Sequence, residues 1–314
     1  MTTFGDQVKE FGGVPVSNNR YAGWFGNDVW YVDDIEGLAG NEGNAPEKAK
    51  KTIQEAVDAA GLQDTIFLRP RAIAVGAYHT HGYYSGSVII DNALLGLSLI
   101  GTGGGGRRGW GANIQCAIEP DVGSTAATIL VQAPGVSIEN VMVKAITGSL
   151  GGGIGATNAA NNEVYGLTIS NCGFKDFVDT AAPYGSVHLD SVHWATIQHC
   201  IFQEGGVGVV LGSALQAIRA SMIRDCDFWG QASDWANDIR VSDCKNIVID
   251  NCRFNHALPT GGAPNIFIQF VGTAGTGIVS DCRFAHDTAD EAVCMGLVGT
   301  VLNSNCYGAD TILT

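Results

Sequence analysis

The stretch Ile249-Asp-Asn-Cys252-Arg-Phe254 decides the fold because it is one copy of a phrase. The others are Ile169-Ser-Asn-Cys172-Gly-Phe174, Ile197-Gln-His-Cys200-Ile-Phe202, Ile223-Arg-Asp-Cys226-Asp-Phe228 and Val279-Ser-Asp-Cys282-Arg-Phe284, with a degenerate sixth, Asn305-Cys306-Tyr307. The cysteines are separated by 28, 26, 26, 30 and 24 residues. Near-equal steps with the same flanking chemistry mark a structural repeat. Within each phrase, Cys and Phe two apart share one face of a strand, and the Asn, Asp or His before the Cys is a turn former. Further short β runs, such as Val207-Gly-Val-Val-Leu211 and Ile266-Phe-Ile-Gln-Phe270, precede several phrases with no helical pattern between them. Two or three short strands per repeat make each repeat one coil of a solenoid whose equivalent strands pair in parallel, about 4.8 Å apart. Stacking then predicts a ladder of Cys172, Cys200, Cys226, Cys252, Cys282 and Cys306, with Phe174, Phe202, Phe228, Phe254 and Phe284 stacked beside it. Free Cys packs as a compact hydrophobe, so the ladder reads as structural rather than redox-active.

Upstream, Val136-Ser-Ile-Glu-Asn140-Val-Met-Val143 repeats the phrase with Val141 in the cysteine position, and Ser87–Ile90, Leu97–Ile100 and Ile114–Cys116 read as earlier coils. About nine coils fit between Asp64 and the C-terminal end, a rod of ~43 Å. An open solenoid end exposes unpaired backbone and needs a cover. Asn44 as N-cap, Glu47, Pro46, and Ile53, Ala56, Val57 and Ala60 at helical spacing predict a capping helix over 46–60, stopped by Gly61. The expected division is therefore an aromatic-rich segment, 1–43, and a solenoid domain, 44–314, with coils over 64–306. Phe4, Phe11, Tyr21, Trp24, Phe25 and Trp30 of the first segment are the candidate attachment residues.

Composition narrows the function. Of 314 residues 43 are Gly, 46% are hydrophobic and 15% are charged, which excludes a disordered chain. The formal charge of −14 argues against nucleic acid as a partner. Met1–Glu10 lacks the apolar core of a signal or anchor, and no run reaches the ~18 apolar residues of a spanning helix, so no membrane insertion is expected and synthesis in a cytoplasm is. Nine cysteines without a CxxC pair fit neither a zinc ribbon nor a fully paired disulfide framework.

The Asn/Asp-Cys-x-Phe coils and the helix-then-strand entry, Ala49 to Leu68, resemble right-handed parallel β-helix proteins of the pectate-lyase-like superfamily. The opening Phe4-Gly-Asp-Gln-Val and Phe11-Gly-Gly-Val-Pro-Val, running into Trp30-Tyr-Val-Asp33, is similar to β-helix proteins encoded among tailed-bacteriophage structural genes. The resemblance implies an all-β, right-handed single-stranded parallel β-helix with an N-terminal capping helix. It also implies a homotrimer located in the virion, docked on capsid or tail proteins as a decoration, fibre or spike. Its alternative is a tailspike-like protein that binds or cleaves host surface glycan as a lyase or glycosidase.

The motifs of pectate lyases and polygalacturonases are not found, and no catalytic residue, metal site or cofactor is expected. Asp225, Asp243, Asp250 and Asp281 read as turn residues bonding local backbone, and Asp227 lies within a repeat. Trp229, Asp234, Trp235 and Asp238 form the most cleft-like cluster and are the candidate glycan site. The loop Gly101 to Trp110 satisfies GxGxxG but has no following helix to hold a phosphate; Arg107 and Arg108 in it are candidate contacts to an acidic partner. His79 and His81 share a strand face as a weak metal pair. His188, His193 and His199 fall in one coil and read as turn or polar-ladder residues.

Overall fold

The computed structural model describes residues 28–70, 83–102, 116–121, 123–145, 151–156, 163–177, 185–190, 192–203, 207–212, 218–230, 237–256, 266–272, 275–285, 295–297 and 300–308. To these are added the short strands Glu10–Phe11, Val14–Pro15 and Thr311–Leu313. Three long sheets wind into a parallel β-helix. Among the described residues sheet I has ten strands, sheet II ten and sheet III eight. One coil shows the pattern: Thr168–Ser170 in sheet I, Gly173–Lys175 in sheet II and Val187–Leu189 in sheet III, before the chain re-enters sheet I at Thr196–Gln198.

The repeat phrase builds the corner between sheets I and II. Asn140, Asn171, His199, Asp225, Asn251, Asp281 and Asn305 all sit at positive φ, between 49° and 63°. A single left-handed residue turns the chain between two strands, and Asn and Asp tolerate that conformation best among residues with a side chain. The next residue points inward. Cys116, Val141, Cys172, Cys200, Cys226, Cys252, Cys282 and Cys306 stack there, all buried. Cys116 thus joins a ladder expected to begin at Cys172. Each thiol of the regular coils reaches the carbonyl two residues back, as Cys226 Sγ does to Arg224 O at 3.2 Å. Burial pushes the Cys200, Cys226 and Cys252 thiols well above their ordinary value.

Two positions on, Phe174, Phe202, Phe228, Phe254 and Phe284 form one continuous stack. Successive centroids lie 4.9, 4.6, 4.9 and 4.9 Å apart, with planes within 10° of parallel. Strand pairing at ~4.8 Å imposes that spacing, so identical rings meet face to face. Sheet I adds an aliphatic column that includes Ile138, Ile169, Ile197, Ile223 and Ile249, and one core runs through all coils.

The N-terminal end departs from expectation in three ways. The first rung of sheet I is Val29–Val32, pairing with Thr65–Leu68. Sheet I therefore begins one rung before the coils expected over 64–306, and Trp30 belongs to the rod instead of a docking segment. Its Nε1 donates to Asp64 Oδ2 at 2.8 Å, while Asp64 also accepts from the backbone of Asp28 and Gly61. The cap is also not one helix over 46–60. A 3-10 turn, Pro46–Lys48, is followed by an α-helix, Ile53–Ala59, whose N-cap is Thr52 in a capping box with Glu55. Between them Lys50 is extended and bonded twice to one edge of the first rung: Lys50 N to Tyr31 O at 2.8 Å and Asp33 N to Lys50 O at 2.9 Å. That segment pairs with a strand edge that would otherwise stay open, which a helical turn could not do. Ile53, Ala56 and Val57 then plug the interior.

Phe11 lies in a two-residue strand pairing with Val14–Pro15. Phe4, Tyr21, Trp24 and Phe25 lie outside the described residues, as do Arg107, Arg108, His79 and His81. No helix among the described residues is long and apolar enough to cross a membrane.

Candidate functional site

Period-2 alternation that buries Cys and Phe turns their neighbours outward, and on sheet II these neighbours form two columns. One runs Ile201, Asp227, Arg253, Arg283, Tyr307 and the other Gln203, Trp229, Asn255, Ala285, each residue one rung from the next. Arg253, Asn255, Arg283, Ala285 and Tyr307 line an open groove of about 450 Å³. A smaller hollow of about 120 Å³, sharing Arg253, continues it toward the corner, where His199, Asp225, Asp227 and Asn251 converge.

The two ends differ in charge. At the corner Asp225 is held on both oxygens: Asn251 Nδ2 donates to Oδ1 at 2.7 Å, and His199 Nδ1 lies 3.5 Å from Oδ2. Asp227 faces Arg253, 4.0 Å away. At the other end Arg283 has no carboxylate within ion-pair distance among the described residues, and Tyr307 and Trp229 are exposed. The groove thus presents guanidinium and amide donors between aromatic faces, a surface for hydroxyls and anionic substituents of an extended ligand.

Only one member of the expected glycan cluster lies here. Trp229 stands on the outer column of sheet II, whereas Asp238 is buried at the turn into sheet III, its carbonyl accepting from Val209 N. Trp229 lies within the sheet II strand Asp227–Gly230 and Asp238 just before the sheet III strand Ile239–Ser242, on different sides of the coil. Asp234 and Trp235 lie outside the described residues. Asp225, Asp243 and Asp281 do occupy left-handed corners, but Asp250 ends a sheet I strand and accepts from Ser280 Oγ at 2.6 Å. The three histidines of one coil fall on three sides of it. His188 meets Asp190 on sheet III, His193 meets Glu163 at the return corner, and His199 meets Asp225. Among the described residues no group of three or more His, Cys, Asp or Glu is placed to hold a metal ion.

Arg253, Asn255, Arg283 and Tyr307 were not anticipated as a site. Their signal is the variable residue inside Cys-x-Phe and the one following it, since those positions must point outward if Cys and Phe point in.

Comparison with known proteins bears on the fold. No curated protein matches the sequence. Among solved structures, pectin methylesterase from Aspergillus niger is similar at a TM-score of 0.54 and 14% identity, covering 91% of this chain and 87% of that one. Pectate lyase Pel9A gives 0.54 at 10% identity, over 86% and 66%. Pectin methylesterase PemA from Erwinia chrysanthemi gives 0.51 at 11%, over 91% and 90%. Likeness at such identities concerns architecture alone. The sequence itself matches the family described as right handed beta helix region over residues 112–296, more than half of the chain. With the stacked coils seen directly, the chain belongs to the right-handed β-helix family.

Proposed function

We propose that this β-helix binds polysaccharide along the outer face of sheet II and does not cleave it. The observation that carries the reading is the groove of Arg253, Asn255, Arg283 and Tyr307, flanked by Trp229 and open along successive rungs. Neighbours in fold named pectin methylesterase and pectate lyase support a glycan ligand. Glycosidic hydrolysis asks for two carboxyl groups facing the scissile bond; Asp225 and Asp227, which line the hollow beside the groove, are engaged by Asn251, His199 and Arg253. In affinity electrophoresis, gels containing polygalacturonate or alginate should retard the protein, and Arg253→Ala with Arg283→Ala should abolish the retardation. Reducing ends and unsaturated products should stay at background. New products would make the protein an enzyme, and unchanged retardation of the double variant would remove the groove from consideration.

A second reading concerns assembly, as a homotrimer serving in a virion. It is favoured by a stripe on the outer face of sheet I, where Met222, Val248, Ile278 and Leu302 stand in register. Ile278 and Leu302 are 43% and 63% exposed, which a lone rod has no reason to maintain.

A further inference from the structure

The corner between sheets III and I holds a feature that neither the core nor the sheet II groove explains. Its turn position is at positive φ in seven successive coils: Gln63, Gly96, Gly135, Gly166, Trp194, Ala220 and Asn246. Glycine suits this conformation best, and Asn next among residues with a side chain. Trp194, at φ +56°, is the bulkiest choice available, and it is 61% exposed, so it contributes little to the core. A strained, solvent-facing indole is a mark of a site rather than of packing.

Its surroundings have matching chemistry. Tyr165, one rung earlier, lies 5.4 Å from the Trp194 ring and 5.3 Å from that of His193. Glu163 bonds the Tyr165 hydroxyl and approaches His193 Nε2 at 3.3 Å, fixing the tyrosine against the indole. On the following two rungs, in register with His193, come Arg219 and Lys245, both exposed. Neither forms an ion pair with a carboxylate among the described residues. The corner therefore presents an aromatic platform, a carboxylate acceptor at one end and two cations at the other, at successive rung spacings.

We propose that this corner is a second binding site, for a saccharide carrying one anionic substituent. The sugar ring would lie on Trp194, its hydroxyls donating to Glu163 and its anion meeting Arg219 and Lys245. A single-stranded nucleic acid fits less well, because Glu163 borders the platform and only two cations follow it on a chain of net charge −14. The site is separate from the sheet II groove and stands or falls independently of it.

Saturation-transfer NMR and titration calorimetry with three probes test it: glucuronic acid-containing hyaluronan tetrasaccharide, glucose 6-phosphate and neutral cellotetraose, with oligo-dT as a control. The indole of Trp194 should receive contacts from either anionic probe, with the better binder showing which anion is preferred. Trp194→Gly, which installs the residue of the preceding rung and so keeps the turn, should weaken that binding at least tenfold. Arg219→Ala with Lys245→Ala should weaken it about as much without changing the weaker binding of cellotetraose. Arg253→Ala with Arg283→Ala should leave it intact. Equal binding by wild type and Trp194→Gly, or absence of binding by both anionic probes, would overturn the site. Tighter binding of oligo-dT than of any sugar would overturn the ligand class.

Discussion

At the scale of single residues, the corner phrase couples a backbone requirement to a packing requirement. Asn251 sits at φ +49° and also donates to Asp225. Asn251→Ala should therefore cost roughly 1–2 kcal/mol, from left-handed strain on a β-carbon residue and from the lost bond. Asn251→Gly should cost less, because glycine accepts the conformation; urea titrations of the two variants measure the difference. The residue that follows is buried, and its thiol is held protonated. Burial likewise pushes Cys244, at another corner, up to about 11. Since the thiolate is the reactive species, the eight cysteines described as buried should resist a thiol reagent in the native protein and all react after unfolding. At most one fast equivalent is expected, because these eight are all but one of the nine cysteines. Several fast thiols would mean that the coils open locally. The ladder was legible because its cysteines punctuate the sequence at a fixed interval. Cys116 was missed because Val141 interrupts the column and separates it from the next cysteine by 56 residues.

At the scale of elements, stability is carried by stacks rather than by individual strands of three or four residues. Phe228 contacts a ring on each side at 4.6 and 4.9 Å, so Phe228→Ala opens a cavity in the middle of a column. The expected loss is about 3–5 kcal/mol. Phe174→Ala, at the end of the phenylalanine stack, should cost less, and chemical denaturation ranks the two. The N-terminal cover adds an electrostatic element. Burial alone would raise Asp33, but Arg69 and the backbone N–H groups of Glu36 and Ile35 outweigh it and hold the carboxyl below its ordinary 3.8. A depressed folded-state value means that this contribution is complete above the ordinary value and disappears as pH falls through the folded one. Acid unfolding below pH 3.8 should thus be shallower in Asp33→Asn than in the wild type, and equal slopes would show that the cover opens without this pair. The sequence announced a helix near this end because Ile53, Ala56 and Val57 have helical spacing. It did not announce where the helix starts. Lys50 is extended by pairing with a rung more than fifteen residues earlier, and no local signal encodes such a contact. The groove on sheet II was hidden for a related reason: Arg253 and Arg283 lie 30 residues apart in sequence and one rung apart in space.

At the scale of the whole molecule, the question is why a rod with a closed interior keeps an apolar stripe outside. Met222, Val248, Ile278 and Leu302 rise along one line parallel to the rod axis, and the exposure of the last two increases toward the end of sheet I. In the proposed trimer three such lines meet around a shared axis, since cyclic symmetry brings identical positions together. Covering an exposed large aliphatic side chain is worth about 1.5–3 kcal/mol, and each chain contributes two, Ile278 and Leu302, beside the half-buried Met222 and Val248. Opposing this is the mutual repulsion of chains carrying −14 each, which salt screens at a Debye length of about 8 Å under physiological conditions. A seam that is apolar at the centre and loaded by like charge must tighten as salt rises, the reverse of an interface held by ion pairs. Sedimentation analysis should give a mass three times 32.8 kDa, with dissociation on dilution suppressed at higher salt. Ile278→Asp with Leu302→Asp should yield monomers of unchanged circular dichroism, because both side chains face away from the core. A trimer surviving that pair of substitutions would place the seam elsewhere, and a monomeric wild type would leave the stripe to a different partner.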